Sequence, residues 1–228
     1  LERRNFMNLE EIVKAGKKDA QARALLNDFD NKDYINVFPA IAEIDGGKDV
    51  LGDVTPEKFA MLNRTEAYPF VEGLANKKKA ELVMKVHEDY AGVIDALKSF
   101  EGLLLTVKPV EGINEDVEKK HKKAYRANEA LKDPQRGVNS LLEDYSQSEN
   151  IIAHAAIILI QNRNGVGETV LSNRAGRAVS ELRDALKDEK VAKDYVLRLY
   201  EKSDDKGKVD LAYSLGQSIT AQELSKKK

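Results

Sequence analysis

An all-α fold, an antiparallel bundle of long helices with a smaller N-terminal helical segment, is predicted by three features of the sequence. Apolar residues return every third or fourth position from Pro69 onward, the period of a helix with one buried face. Only 5 prolines and 14 glycines punctuate the 228 residues, and they cluster between the periodic stretches, as helix stops do. Alternating β-branched runs around Asn-Gly or Asp-Gly, the mark of a β-hairpin, are almost missing.

The first helix is expected to start at Asn8 as N-cap, with Glu10 and Glu11 in its first turn, and to end at Asp30-Asn31. Ile12, Val13, Ala15, Ala22, Leu25, Leu26 and Phe29 would face inward. A shorter apolar segment, Tyr34 to Ile44, is broken or entered at Pro39 and stopped by Gly46-Gly47. Thr55-Pro56-Glu57 has the order N-cap, N1, N2 of a brief helix through Met61. A boundary near Gly52 is expected, with residues 1–52 as the N-terminal segment and 53–228 as the bundle.

Between Pro69 and Pro109 a single long helical stretch is predicted. Leu82, Val86, Tyr90, Val93, Leu97, Phe100, Leu104 and Val107 recur at alternating three- and four-residue steps, a coiled-coil-like seam that must pack along other helices. Gly92 and Gly102 would weaken this helix without breaking it. Asn114 caps the next helix, which runs to about Lys132 before Asp133-Pro134. Val138, Leu141, Leu142, Tyr145, Ile152, Ala156 and Leu159 line one face of another long segment, and from Ile151 to Ile160 almost every position is apolar. That stretch suits a central helix.

After an Asn164 to Gly167 turn, helical spacing runs from Leu171 through Leu199 with an interruption at Lys187-Asp188. A second break at Asp204 to Gly207 precedes a last amphipathic helix holding Val209, Leu211, Ala212, Leu215 and Ile219. The Ser225 to Lys228 tail is expected to fray.

Composition restricts the function classes. With 37 basic and 39 acidic residues the net charge is −2, so no global field draws the chain to a polyanion, and nucleic acid is not expected as a partner. Aromatics are 6% and Trp is absent, which leaves few surfaces on which bases could stack. Cysteine is absent, which removes disulfides, thiolate metal sites and cysteine nucleophiles together. The Ile151 to Ile160 run is about half the length of a membrane span, so no transmembrane segment is expected. Leu1 to Phe6 show neither an initiator Met nor a signal-like apolar stretch. The expectation is a cytoplasmic protein, with residues upstream of Leu1 allowed for.

Several patterns invite chemistry and are set against their ordinary structural roles. Glu118-Lys119-Lys120-His121 has the Glu-x-x-His spacing of di-metal bundles, but no second such motif occurs and the surrounding lysines suggest a solvated face. Glu115 with Lys119, Asp116 with Lys120 and Glu118 with Lys122 are in the favourable i,i+4 order. No metal and no cofactor is expected. Asp28 to Ile35 begins like an EF-hand loop, but Lys32, Asp33 and Pro39 stand where an oxygen ligand, the turn glycine and the bidentate Glu belong. Lys77-Lys78-Lys79 is taken as a solvated face.

His87 sits at the edge of the long seam, and His154 is enclosed by Ile151, Ile157 and Ile158. An imidazole there must find partners or stay neutral, which makes His154 the candidate catalytic residue if the chain is an enzyme. Arg163-Asn164-Gly165-Val166-Gly167, with Arg174 and Arg177 following, is a candidate anion-binding turn, because glycines before a helix free N–H groups for an anion. It lacks the Gly-Lys-Ser/Thr of a Walker loop and the third glycine of a dinucleotide fingerprint. An interhelical turn explains Arg163, Gly165 and Gly167 as well.

Two functions are compatible with these features. The first is a non-catalytic helical scaffold or protein-interaction module, acting through a protein partner or self-association. The alternative is a ligand- or metal-binding helical-bundle enzyme with an interior polar cluster around His154.

Overall fold

A computed structural model describes residues 2–31, 37–146 and 166–226, with side chains described for 9–30, 37–140 and 169–226. Among the described residues there are twelve helices packed against one another and no strand, so the fold is all-α as the sequence predicts. No helix among them is long and apolar enough to cross a membrane. The chain divides into two compact units, residues 1–97 with 212–228, and residues 98–211. Residues on both sides of Gly52 belong to the first unit.

The first unit is organised by α1 (Glu2–Asn31) and α5 (Arg64–Glu88). Helix α1 starts before Asn8, which lies inside it instead of capping it. The preceding Glu, Arg and Met are good helix formers with no Gly or Pro among them, so propensity carries the helix through the cap signal. At its other end Arg64 donates to the carbonyl of Phe29 at 3.0 Å and to that of Asp30, taking up oxygens that the helix leaves unpaired. Its guanidinium also lies over the Phe29 ring, 5.7 Å from the centroid.

Helix α5 begins five residues before the expected Pro69, because Asn63 and Glu66 form a reciprocal capping box: Glu66 N–H donates to Asn63 at 3.0 Å and Asn63 N–H to Glu66 at 2.9 Å. Pro69 is carried inside the helix. Between the two long helices lie α2 (Val37–Glu43), α3 (Gly47–Leu51) and α4 (Pro56–Ala60). Gly46 turns the chain at φ 78, where a side chain would be strained, and Thr55 caps α4 ahead of Pro56 as expected. Phe29, Val37, Ile41, Leu51, Phe59, Val71 and Leu74 form the core here. Phe59 is at its centre, with the Phe38 and Phe70 rings 5.4 and 5.7 Å away.

The long helix expected from Pro69 to Pro109 is broken twice. Asp89 leaves the helical region at φ −151, and its carboxylate accepts the Gly92 N–H at 3.1 Å. This local cap competes with the helical ladder. Gly92 permits it, since a Cβ there would lie 2.4 Å from Asp89 Oδ2. Helix α6 (Tyr90–Ala96) restarts and stops at Leu97, and α7 (Glu101–Leu104) follows as a single turn. The seam positions Leu82, Val86, Val93, Leu97, Phe100, Leu104 and Val107 are nevertheless buried. They are divided among separate helices and between the two units, so the period identified buried positions but not one continuous rod.

In the second unit, α8 (Glu115–Lys132) has the predicted limits, with Asn114 accepting the Val117 N–H at 3.2 Å. Asp133 alone joins it to α9 (Pro134–Ser146). The expected central helix, Ile151 to Ile160, falls outside the described residues. Helix α10 (Val166–Ala185) packs on α8 and α9, and Asp188 caps α11 (Glu189–Lys202) at the predicted interruption. The last break sits at Ser203-Asp204, earlier than expected. Asp204 accepts the Gly207 N–H at 2.7 Å, and Gly207 falls in the first turn of α12 (Asp205–Ser225). The boundary between the units at Leu211 falls within α12.

Candidate functional site

A groove of about 640 Å³ is formed by α8, α9 and α10. Its shape follows from the corner at Asp133. The Asp133 side chain accepts the Arg136 N–H at 3.1 Å, and its carbonyl accepts the Gly137 N–H at 2.9 Å, which starts α9 at once. Gly137 lets α9 fold closely against α8, because a Cβ there would meet the Ala130 carbonyl oxygen at 2.7 Å.

Ala127 and Leu171, both buried, contribute apolar surface to the groove, with Ala130 and Tyr125 beside them. Five cations line it, Lys123, Arg126, Lys132, Arg136 and Arg174, against the two acids Glu129 and Asp133. Lys132 pairs with Glu129 at 2.6 Å, and Lys123 with Glu181 at 2.8 Å. Among the described residues, the Arg126 and Arg136 guanidinium groups have no carboxylate partner.

Of the residues singled out in the sequence, Arg174 lines this groove. Arg177 is exposed on α10 and is not among the lining residues, and Gly167 lies in the first turn of that helix. Arg163, Gly165 and His154 lie outside the described residues. His87 is exposed on α5. Among the described residues no group of three His, Asp or Glu side chains is arranged to hold a metal ion.

Two polar centres are buried where the sequence suggested solvated surface. His121, expected on an exposed basic face, is fully buried. The reason is helical phase: Val117, His121 and Ala124 follow at steps of four and three and share the buried stripe, while the lysines fan around it. That spacing was present in the sequence, but the lysine density masked it. His121 Nε2 lies 2.9 Å from the Val107 carbonyl and Nδ1 lies 3.0 Å from the Tyr195 hydroxyl. The carbonyl can only accept, so Nε2 carries the proton and Nδ1 accepts from Tyr195. Burial pushes the His121 pKa below its ordinary value, against the opposing pull of the Val107 carbonyl, and burial pushes that of Tyr195 up.

Lys78 corrects the second expectation. Within Lys77-Lys78-Lys79 it follows Val71 and Leu74 on the inner stripe of α5 and is 1% exposed, with its ammonium held by Glu81 at 2.7 and 2.8 Å. Lys77 reaches Asp49 at 2.7 Å, and Lys79 lies 4.7 Å above the Tyr213 ring. Asp45 pairs with Lys18. Glu118 is also reassigned: in place of the expected pair with Lys122 it accepts the N–H groups of Ile113 and Asn114, while Lys122 pairs with Glu111 at 3.1 Å.

A buried carboxylate, Asp19, joins α1 to α12 inside the first unit. Arg23 donates to it at 2.8 Å and the Tyr213 hydroxyl lies 3.1 Å from both oxygens. With its amide oxygen turned inward, Gln217 accepts from Arg23 at 3.1 Å. Burial, then the Asp19 charge, pushes the Tyr213 pKa up to about 12. Among the described residues no buried side-chain nitrogen or oxygen lacks a hydrogen-bond partner. These polar groups fasten helices to one another.

No protein-family model, curated protein or solved structure matches the chain.

Proposed function

We propose that the chain is a non-catalytic helical interaction module that holds a segment of a protein partner in the groove between α8, α9 and α10. The observation that supports this is the groove itself: about 640 Å³, with apolar surface from Ala127 and Leu171 beneath charged walls. An apolar centre under a polar rim is the anatomy of a protein-recognition surface. The buried polar groups outside the groove, His121 with Tyr195 and Asp19 with Tyr213, are engaged in packing the helices. The first of these pairs, in the same unit as the groove, gives that surface a fixed frame.

Ser140 is exposed and lines the groove, so Ser140→Trp fills the space from its rim. The full chain and this variant, each immobilised, are incubated with a lysate of the protein's native cells. A protein recovered by the first and lost by the second is the expected result. Equal recovery by both would move the docking surface elsewhere, and recovery by neither would remove the basis for an interaction module.

A further inference from the structure

We infer that the segment held in the groove is an acidic peptide whose carboxylates meet Arg126 and Arg136. The assignment rests on the docking role proposed above and names the partner's chemistry. Both acids of the lining are already engaged. Glu129 is neutralised by Lys132 at 2.6 Å, and Asp133 accepts the Arg136 backbone N–H at 3.1 Å, in the first turn of α9. The positive end of that helix favours an acid there.

What remains is two guanidinium groups, one on each side of the corner, with no described carboxylate to meet them. A guanidinium presents a planar fork of donors that fits a carboxylate with two hydrogen bonds. Ala127 and Leu171 between the walls suit apolar residues alternating with the acids along an extended segment.

Nucleic acid fits less well. Glu129 and Asp133 interrupt the positive surface, Tyr125 is the single aromatic of the lining among the described residues, and the chain as a whole carries a charge of −2. A polyphosphate backbone needs continuous cations and stacking surfaces.

The chain has no cysteine, so Ser140→Cys supplies a unique thiol at the groove for an environment-sensitive fluorophore. The full-length labelled protein is titrated with a short peptide alternating Glu and Leu, with its Gln-for-Glu counterpart, and with an oligothymidylate. The acidic peptide is expected to bind more tightly than the neutral one by on the order of 10-fold, since each exposed ion pair changes affinity by about 1.5- to 5-fold. Added salt and the double variant Arg126→Gln/Arg136→Gln should erase that difference while the circular dichroism spectrum is unchanged.

Equal binding of the two peptides overturns the acidic assignment and leaves the docking role standing. Binding of neither overturns it too, and the Ser140→Trp capture experiment then reports separately on the docking role. Tighter binding of the oligothymidylate overturns it in favour of nucleic acid. Sedimentation showing a dimer that the double variant dissolves would replace the peptide with a second copy of the chain.

Discussion

Tyr213 places its hydroxyl 3.1 Å from each carboxylate oxygen of Asp19, a residue 194 positions earlier in the chain and fully buried. The phenol supplies one proton to an acid that burial has cut off from water, and Arg23 supplies the countercharge at 2.8 Å. Removing the acid strands the other two, whereas removing the phenol leaves the charge pair. Asp19→Ala is therefore expected to destabilise the protein by about 3 kcal/mol, and Tyr213→Phe by about 1 kcal/mol. Urea unfolding midpoints give the comparison. If Tyr213→Phe proves the costlier change, the hierarchy assigned to this cluster is wrong.

His121 makes stability depend on pH. Its pKa is lowered in the folded state by burial, so the unfolded chain takes up a proton more readily and acid favours unfolding. The contribution is present above the ordinary histidine value of about 6.5 and is lost as pH falls through the lowered folded value. Glu101 and Glu118, lowered by hydrogen bonds from Arg183 and from the Ile113 backbone respectively, add a second loss below about 4.5. Unfolding midpoints taken from pH 7 downward should thus decline in two stages. In His121→Gln the first stage should flatten and the second persist; an unchanged first stage would assign it to another group.

Three glycines separate two opposed effects of a methyl group. A Cβ at Gly16 would lie 1.9 Å from Thr220 Oγ1, whose hydroxyl is held by the Gly216 carbonyl at 2.7 Å, and one at Gly216 would lie 2.7 Å from Leu82 Cδ1. Gly176 has nothing within 4 Å. Overpacking costs about 1–3 kcal/mol, more than the roughly 1 kcal/mol that alanine gains over glycine in a helix. Gly16→Ala should lower the melting temperature and Gly176→Ala should raise it. Two shifts of the same sign would show that the close approach at Gly16 relaxes without cost.

Gly137→Ala tests the corner of the groove. Its new methyl would press on the Ala130 carbonyl, a backbone atom that cannot rotate away. The expected cost is about 1–3 kcal/mol, together with weaker binding of the Glu-Leu peptide by the protein labelled through Ser140→Cys. A variant that binds that peptide as well as the parent would show that the groove does not depend on this contact.

Much of the fold was legible because its signals are local. Thr55-Pro56 and Asn114 each start a helix where a capping side chain precedes an apolar period, and each does so in the structure, while the interruption read at Lys187-Asp188 is where Asp188 caps a new helix. The spacing from Leu82 to Val107 marked buried positions correctly except at Tyr90, which is half-buried. It could not reveal that Asp89 turns its carboxylate onto Gly92 and ends the helix, because that competition is settled by a few atoms at one turn. Buried polar groups were less legible still. His121 and Lys78 sit among lysines, so composition suggested water while helical phase placed both inside. For the groove, Arg174 was visible as one cation among several, but Arg126 and Arg136 come to it only through the fold of α8 against α9. Gly137, which permits that fold, carries no motif of its own.

The first unit draws on both ends of the chain, residues 1–97 and 212–228, while the second is one uninterrupted stretch, 98–211. On a ribosome adding roughly 5–20 residues per second, Asp19 therefore waits on the order of 10 to 40 seconds for Tyr213 to be made. The middle of the chain has all its residues before the beginning does. During that interval the faces of α1 and α5 later covered near Gly16 and Leu82 are still exposed, and a nascent chain halted short of α12 would present them to chaperones or to its neighbours.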